Sequence, residues 1–110
     1  MRQFVIDQLS DKERQAVRQH LTKMAKPGPI EDMFWLRLGG DMLTETQRSH
    51  PACGPFYVAI ELGDDRVSFE FLVRSQSTLH CSCISYASPL QRDFILNFID
   101  EMTRGLTLKA

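Results

Sequence analysis

Two short groups of residues have the types and spacing to do chemistry: His50 with Cys53, and His80 with Cys81 and Cys83. Imidazole and thiolate are zinc's preferred ligands, and four of them at about 2.0 to 2.3 Å close a tetrahedral site. His50, Cys53, Cys81 and Cys83 are the set with that composition. The spacing fits no common zinc pattern, however. On a regular strand Cys81 and Cys83 would point to one face and His80 to the other, so only part of the set would converge. Cysteine is also among the most buried residue types when it has no chemical role. The plainer expectation is therefore packed, reduced cysteines with no metal and no cofactor, and the four-residue zinc or thiol set stands as the alternative.

Cys53 has a second possible use as a nucleophile. Gly54 and Pro55 place it in a loop, and His50, three residues away, offers the positive environment that a reactive thiolate needs. No orienting acid is identifiable, so no complete catalytic constellation exists and the chain is expected not to be an enzyme. Asp64 and Asp65 read as a hairpin tip rather than as paired catalytic carboxylates. Gly39 and Gly40 precede no phosphate-binding pattern and serve as punctuation. Trp35 reads as a partly buried strand residue.

The elements that must position these residues come from hydrophobic periodicity. Phe56, Val58, Ile60 and Leu62 alternate with polar or small neighbours, as do Val67, Phe69, Phe71 and Val73, which predicts two strands with one buried face. A tip at Asp64 and Asp65 pairs Leu62 with Val67, Ile60 with Phe69, Val58 with Phe71 and Phe56 with Val73. A third strand is expected over residues 78–84, with Leu79 opposite Val73, Cys81 opposite Phe71 and Cys83 opposite Phe69. The residues 33–38 read as a further strand.

Ser10 and Glu13 make a capping box that opens a helix running to about Ala25, with Ala16, Val17, Leu21 and Met24 buried and Arg14, Arg18 and Lys23 on a solvated face. Thr44 and Gln47 cap a short helix near residues 45–49. Ser88, Pro89 and Gln91 open the last helix, and Gly105 stops it. Its stripe of Leu90, Phe94, Ile95, Phe98, Ile99 and Met102 is expected to lie on the sheet face of Phe56, Val58, Phe69 and Phe71. Residues 1–9 form either a short strand or an extended arm. The predicted fold is a single α+β domain over 1–110: a two-layer sandwich with an antiparallel sheet of about four strands, two main helices and one short helix.

Composition bounds the function. At 110 residues, 43% hydrophobic and 25% charged, the chain can bury a core without a staple. A formal net charge of −1 and the absence of a basic cluster argue against nucleic acid. The longest apolar run, Phe56 to Ile60, is far shorter than the roughly 20 residues of a membrane span. No secretory signal is legible, and an odd number of cysteines suits a reducing compartment, so a cytoplasmic location is expected.

The second sheet face carries the leading functional reading. Tyr57, Glu70, Leu72, Arg74, His80 and Ile84 are predicted to share it, an apolar centre with a polar rim suited to a protein partner or a second copy of the chain. The chain is thus expected to be a non-catalytic binding or adaptor module and a homodimer. A zinc- or thiol-dependent protein is the rival, and a small-molecule sensor or carrier the third possibility.

Overall fold

The computed structural model describes residues 2–108. Its helices begin where the capping boxes predict: α1 spans Asp11–Met24, α2 spans Glu45–Arg48 and α3 spans Pro89–Gly105, each with the reciprocal side-chain and backbone bonds in place. The strands are β1 (Gln3–Ile6), β2 (Lys26–Pro27), β3 (Met33–Leu38), β4 (Phe56–Leu62), β5 (Val67–Glu70), β6 (Leu72–Ser75) and β7 (Ser85–Tyr86). All pairings are antiparallel, in the order β1-β5-β4-β3-β2, with β6 joined to β4 and to β7. The architecture is α+β.

The sheet has seven strands, not about four. Three causes account for the difference. The N-terminal segment is a paired strand, with Phe4 opposite Phe69 and Ile6 opposite Val67. Lys26–Pro27 adds a short edge to β3. The long second strand of the predicted meander is also broken into β5 and β6. Leu62 faces Val67 and Ile60 faces Phe69 as the alternation predicts, but Phe56 faces Ser75 rather than Val73. The chain takes up two extra residues around Phe71, whose N–H turns outward to the Arg2 carbonyl at 3.1 Å. A slip of two preserves facing, so Phe56 and Val73 both stay on the core side.

The expected strand over residues 78–84 is absent. Ser75 Oγ accepts from the N–H groups of Ser77 and Thr78 at 3.2 and 3.1 Å, and itself donates to the Cys53 carbonyl. The Gln76 N–H bonds Pro55 O at 3.1 Å. These bonds draw the chain toward the connection before β4 instead of letting it turn back along β6. Only Ser85 and Tyr86 return to the sheet, opposite Val73 and Leu72. Leu79, expected opposite Val73, is 87% exposed.

One apolar cluster joins the sheet to both long helices: Val17 and Leu21 of α1, Leu36 of β3, Val58 and Ile60 of β4, Phe69 of β5, and Ile95, Ile99 and Met102 of α3. Both helices therefore cover the same sheet face, and Phe98 meets Phe69 edge to face at 6.3 Å. Each fully buried aliphatic or aromatic side chain contributes about 1.5 to 3 kcal/mol. The ends of the predicted stripes lie outside the cluster: Met24 and Leu90 are exposed. No helix of the described residues is long and apolar enough to cross a membrane.

The polar side of α1 is not simply solvated. Arg14 and Arg18 grip Asp32 at 3.1 and 2.9 Å, and Arg14 Nε also donates to Gly63 O at 2.7 Å. Asp32 holds a left-handed φ of 65°, a conformation that Asp and Asn tolerate best among residues with a Cβ. Asp32→Ala should therefore cost about 1 to 3 kcal/mol, and Asp32→Asn, which keeps the backbone tolerance, distinctly less. Urea melts of the two variants measure the split, and equal losses would assign the whole effect to the ion pairs.

Candidate functional site

The site forms where two irregular segments are tied together. The first follows α2: His50 leads into a 3-10 turn, Pro51–Cys53, that places Cys53 just ahead of β4. The second is the loop after β6, carrying Cys81 and Cys83. Between them run the Ser75 bond to Cys53 O and a 2.7 Å bond from Ser77 Oγ to Gly54 O. The loop's own backbone closes with Ile84 N–H on Cys81 O at 3.0 Å.

This arrangement brings the thiols of Cys53, Cys81 and Cys83 within 4.8 Å of one another. Cys53 Sγ and Cys81 Sγ are 3.6 Å apart, and all three cysteines are free thiols. Tetrahedral coordination with metal–sulfur bonds of about 2.3 Å sets neighbouring sulfurs about 3.8 Å apart, so the observed separation already suits a shared ion. Two further donors address the sulfurs: the Cys83 backbone N–H reaches Cys81 Sγ at 3.5 Å, and Thr78 Oγ1, from outside the cluster, reaches Cys53 Sγ at 3.7 Å. Such bonds stabilise thiolate charge.

The electrostatics of the three thiols diverge. Cys81 is lowered to about 7, chiefly by the hydrogen bonds it accepts from the Cys83 side chain and N–H, with Cys53 and the charge of His50 acting in the same direction. Cys83, 1% exposed, is pushed up to about 12, first by burial and then by the neighbouring thiols. One sulfur is thus about half ionised at pH 7 and another is held protonated.

His50 Nδ1 lies 2.7 Å from Thr46 O, an acceptor only, so Nδ1 carries a proton; in the neutral form of the ring the lone pair is then on Nε2. That is the tautomer a metal-binding imidazole uses. Its ring nitrogens lie outside the sulfur group, so it stands beside the cluster rather than within it.

The candidate residues of the second sheet face separate into two sets. Tyr57 and Arg74 are directly opposite each other on β4 and β6, and Arg74 pairs with Glu70 at 3.0 Å. Leu72 faces Tyr86 on β7. His80 and Ile84 are not on the sheet: both belong to the cysteine loop, where His80 is exposed and Ile84 packs against the core. Trp35, on β3, stacks on Tyr57 with ring centroids 4.5 Å apart. Asp64 and Asp65 sit exposed at the hairpin tip.

Sequence reasoning missed the polar joint beneath the site. Gln47 and Gln91, each the N3 residue of a capping box, are 1% and 0% exposed. Gln91 Nε2 donates to Gln47 Oε1 at 2.8 Å and to Met42 O at 2.9 Å, while Gln47 Nε2 donates to Cys83 O at 3.1 Å. The pair links α2, α3 and the cysteine loop. A signal existed: both boxes use glutamine, whose amide keeps spare donors after capping and can be buried without a charge.

Comparison with known proteins adds no assignment: no protein-family model, curated protein or solved structure matches this chain.

Proposed function

We propose that this chain is a metal-binding protein whose Cys53, Cys81 and Cys83 thiolates, completed by Nε2 of His50, hold one zinc ion. The convergence of three sulfurs from two separate segments within 4.8 Å carries the reading. All three also pack on or in the apolar core, but Cys53 and Cys81 are only partly buried, so their sulfurs stay within reach of an ion. The ion is structural in this reading. It clips the loop after β6, which has few backbone bonds of its own, to the connection before β4.

Purified protein is expected to carry one zinc per chain and, loaded with Co(II), to show the intense visible absorption of a tetrahedral thiolate site. Cys53→Ser should lose the metal, and His50→Ala should weaken it by roughly tenfold or more. Absence of stoichiometric metal after preparation under reducing conditions, with no Co(II) spectrum on titration, would sink the reading.

A second reading is favoured by the Trp35–Tyr57 stack. It lies half-buried on the sheet face opposite the helices, beside Arg37, Glu61, Glu70 and Arg74. An aromatic centre ringed by both signs of charge suits a second copy of the chain, which would make the protein a homodimeric binding module. Sedimentation of the parent and of Tyr57→Glu distinguishes a dimer that dissociates from a chain that is monomeric throughout.

A further inference from the structure

We infer that the cleft between Arg37 and Arg48 is a binding site for a small oxyanion carried on an apolar body, a carboxylate or phosphate ester of aromatic or aliphatic character. The cleft holds about 430 Å³, within the range of small-molecule sites. It opens where the ends of β3 and β4 meet α2 and borders the sulfur cluster, since Pro51 and Gly54 flank Cys53 and Gln47 bonds the Cys83 carbonyl. Its accessible apolar surface comes from Leu43, Pro51 and Pro55, over a floor of Leu38 and Phe56. Leu38 and Phe56 face each other across the β3–β4 ladder and are nearly fully buried, so the floor is part of the core.

The charge on the cleft is of one sign. Arg37 and Arg48 line it and no Asp or Glu does, although acids slightly outnumber lysines and arginines in the chain as a whole. Neither arginine makes an ion pair among the described residues, whereas Arg14, Arg18, Arg66 and Arg74 all do. Asp41 and Glu45 are the nearby acids along the chain; Glu45, three residues before Arg48 on α2, makes no ion pair with it and does not line the cleft. The Asp41 carboxylate lies against Gly39, where an added Cβ would meet it at 3.1 Å, and it is not part of the lining.

Arg48 is also held in place. Its Nη1 donates to Leu43 O at 2.9 Å, which orients the guanidinium and leaves its other N–H groups for a ligand. A planar guanidinium matches carboxylate and phosphate oxygens two at a time, and two of them around one opening recognise an oxyanion in preference to a neutral group. The apolar lining then selects what the oxyanion is attached to.

The inference does not rest on the metal, and titration calorimetry on the protein as purified, with and without added zinc, tests it with phenyl phosphate and benzoate as probes. Benzyl alcohol is the neutral control and inorganic phosphate the bare-anion control. At least one of the two aromatic anions should bind at one site per chain, at least tenfold more tightly than either control. Arg37→Gln and Arg48→Gln should each weaken it roughly tenfold, with a cooperative melt retained. Chemical-shift changes should centre on Leu38, Leu43 and Phe56. Failure of both aromatic anions to bind, equal binding of benzyl alcohol or of inorganic phosphate, or affinity unaltered in the double arginine variant would each overturn the assignment.

Discussion

Gln91→Leu should destabilise the protein by about 3 to 5 kcal/mol, although leucine fits the helix and the volume. The Gln91 amide is fully buried and serves three partners: it donates to Met42 O and Gln47 Oε1, and its Oε1 accepts the Ser88 N–H at 3.0 Å. Leucine leaves these groups short of a partner, at about 1 to 3 kcal/mol for each one that stays buried. Native domains hold only about 5 to 15 kcal/mol in total, so the variant stands near the threshold of folding. Gln47→Leu should behave similarly and additionally release Cys83 O. Since the two side chains share a bond, the double variant should cost less than the sum of the singles, by about 1 to 3 kcal/mol. Urea denaturation of all four proteins gives the cycle. A Gln91→Leu variant within about 1 kcal/mol of the parent would show that water replaces the lost bonds.

The parts of this fold legible in sequence are those set by local chemistry. Capping boxes at Ser10, Thr44 and Ser88 located the starts of all three helices, because each consists of residues three apart that satisfy one another. Alternation located β4 and the tip pairing of Leu62 with Val67. What failed was non-local. The break at Phe71 depends on a bond to Arg2, and the fate of residues 78–84 depends on Ser75 reaching Cys53 O from 22 positions away. The same failure hid the site. Read as a strand, the H-C-x-C segment separates its ligands by face, whereas as a loop it is free to bring Cys81 and Cys83 to Cys53. The candidate set itself, His50, Cys53, Cys81 and Cys83, was identifiable from residue type, but the convergence of its three cysteines, with His50 left beside them, was not. Nor does periodicity reveal that Trp35 and Tyr57, on different strands, stack.

In the metal-free protein Cys81 should be the thiol that alkylates first, with Cys83 slower by on the order of a thousandfold or more at pH 7. The thiolate is the attacking species, so the rate follows the ionised fraction and the access of each sulfur. With Cys81 lowered to about 7, roughly half of it is thiolate at pH 7, and it is partly exposed. Cys83, at about 12 and buried, offers almost none. The lower intrinsic nucleophilicity of a low-pKa thiolate reduces this advantage without reversing it. The direction with pH follows from the sign of the shift. Below about 7 the Cys81 rate should fall close to tenfold for each pH unit as the sulfur is protonated, and above about 8 it should level off, whereas an unperturbed thiol would still be climbing. His50→Ala removes one contributor to the stabilised thiolate and should move the midpoint upward, with the hydrogen bonds from Cys83 keeping it below the ordinary cysteine value. Timed iodoacetamide labelling followed by peptide mass analysis, on protein stripped of metal under reducing conditions, reads each site separately. Adding one equivalent of zinc should then suppress labelling at Cys81 and Cys53 together, since both sulfurs would be engaged by the same ion. Labelling of Cys81 with a midpoint above pH 8.5, or protection of neither residue by zinc, would show that the 3.6 Å approach of the two sulfurs has no chemical consequence.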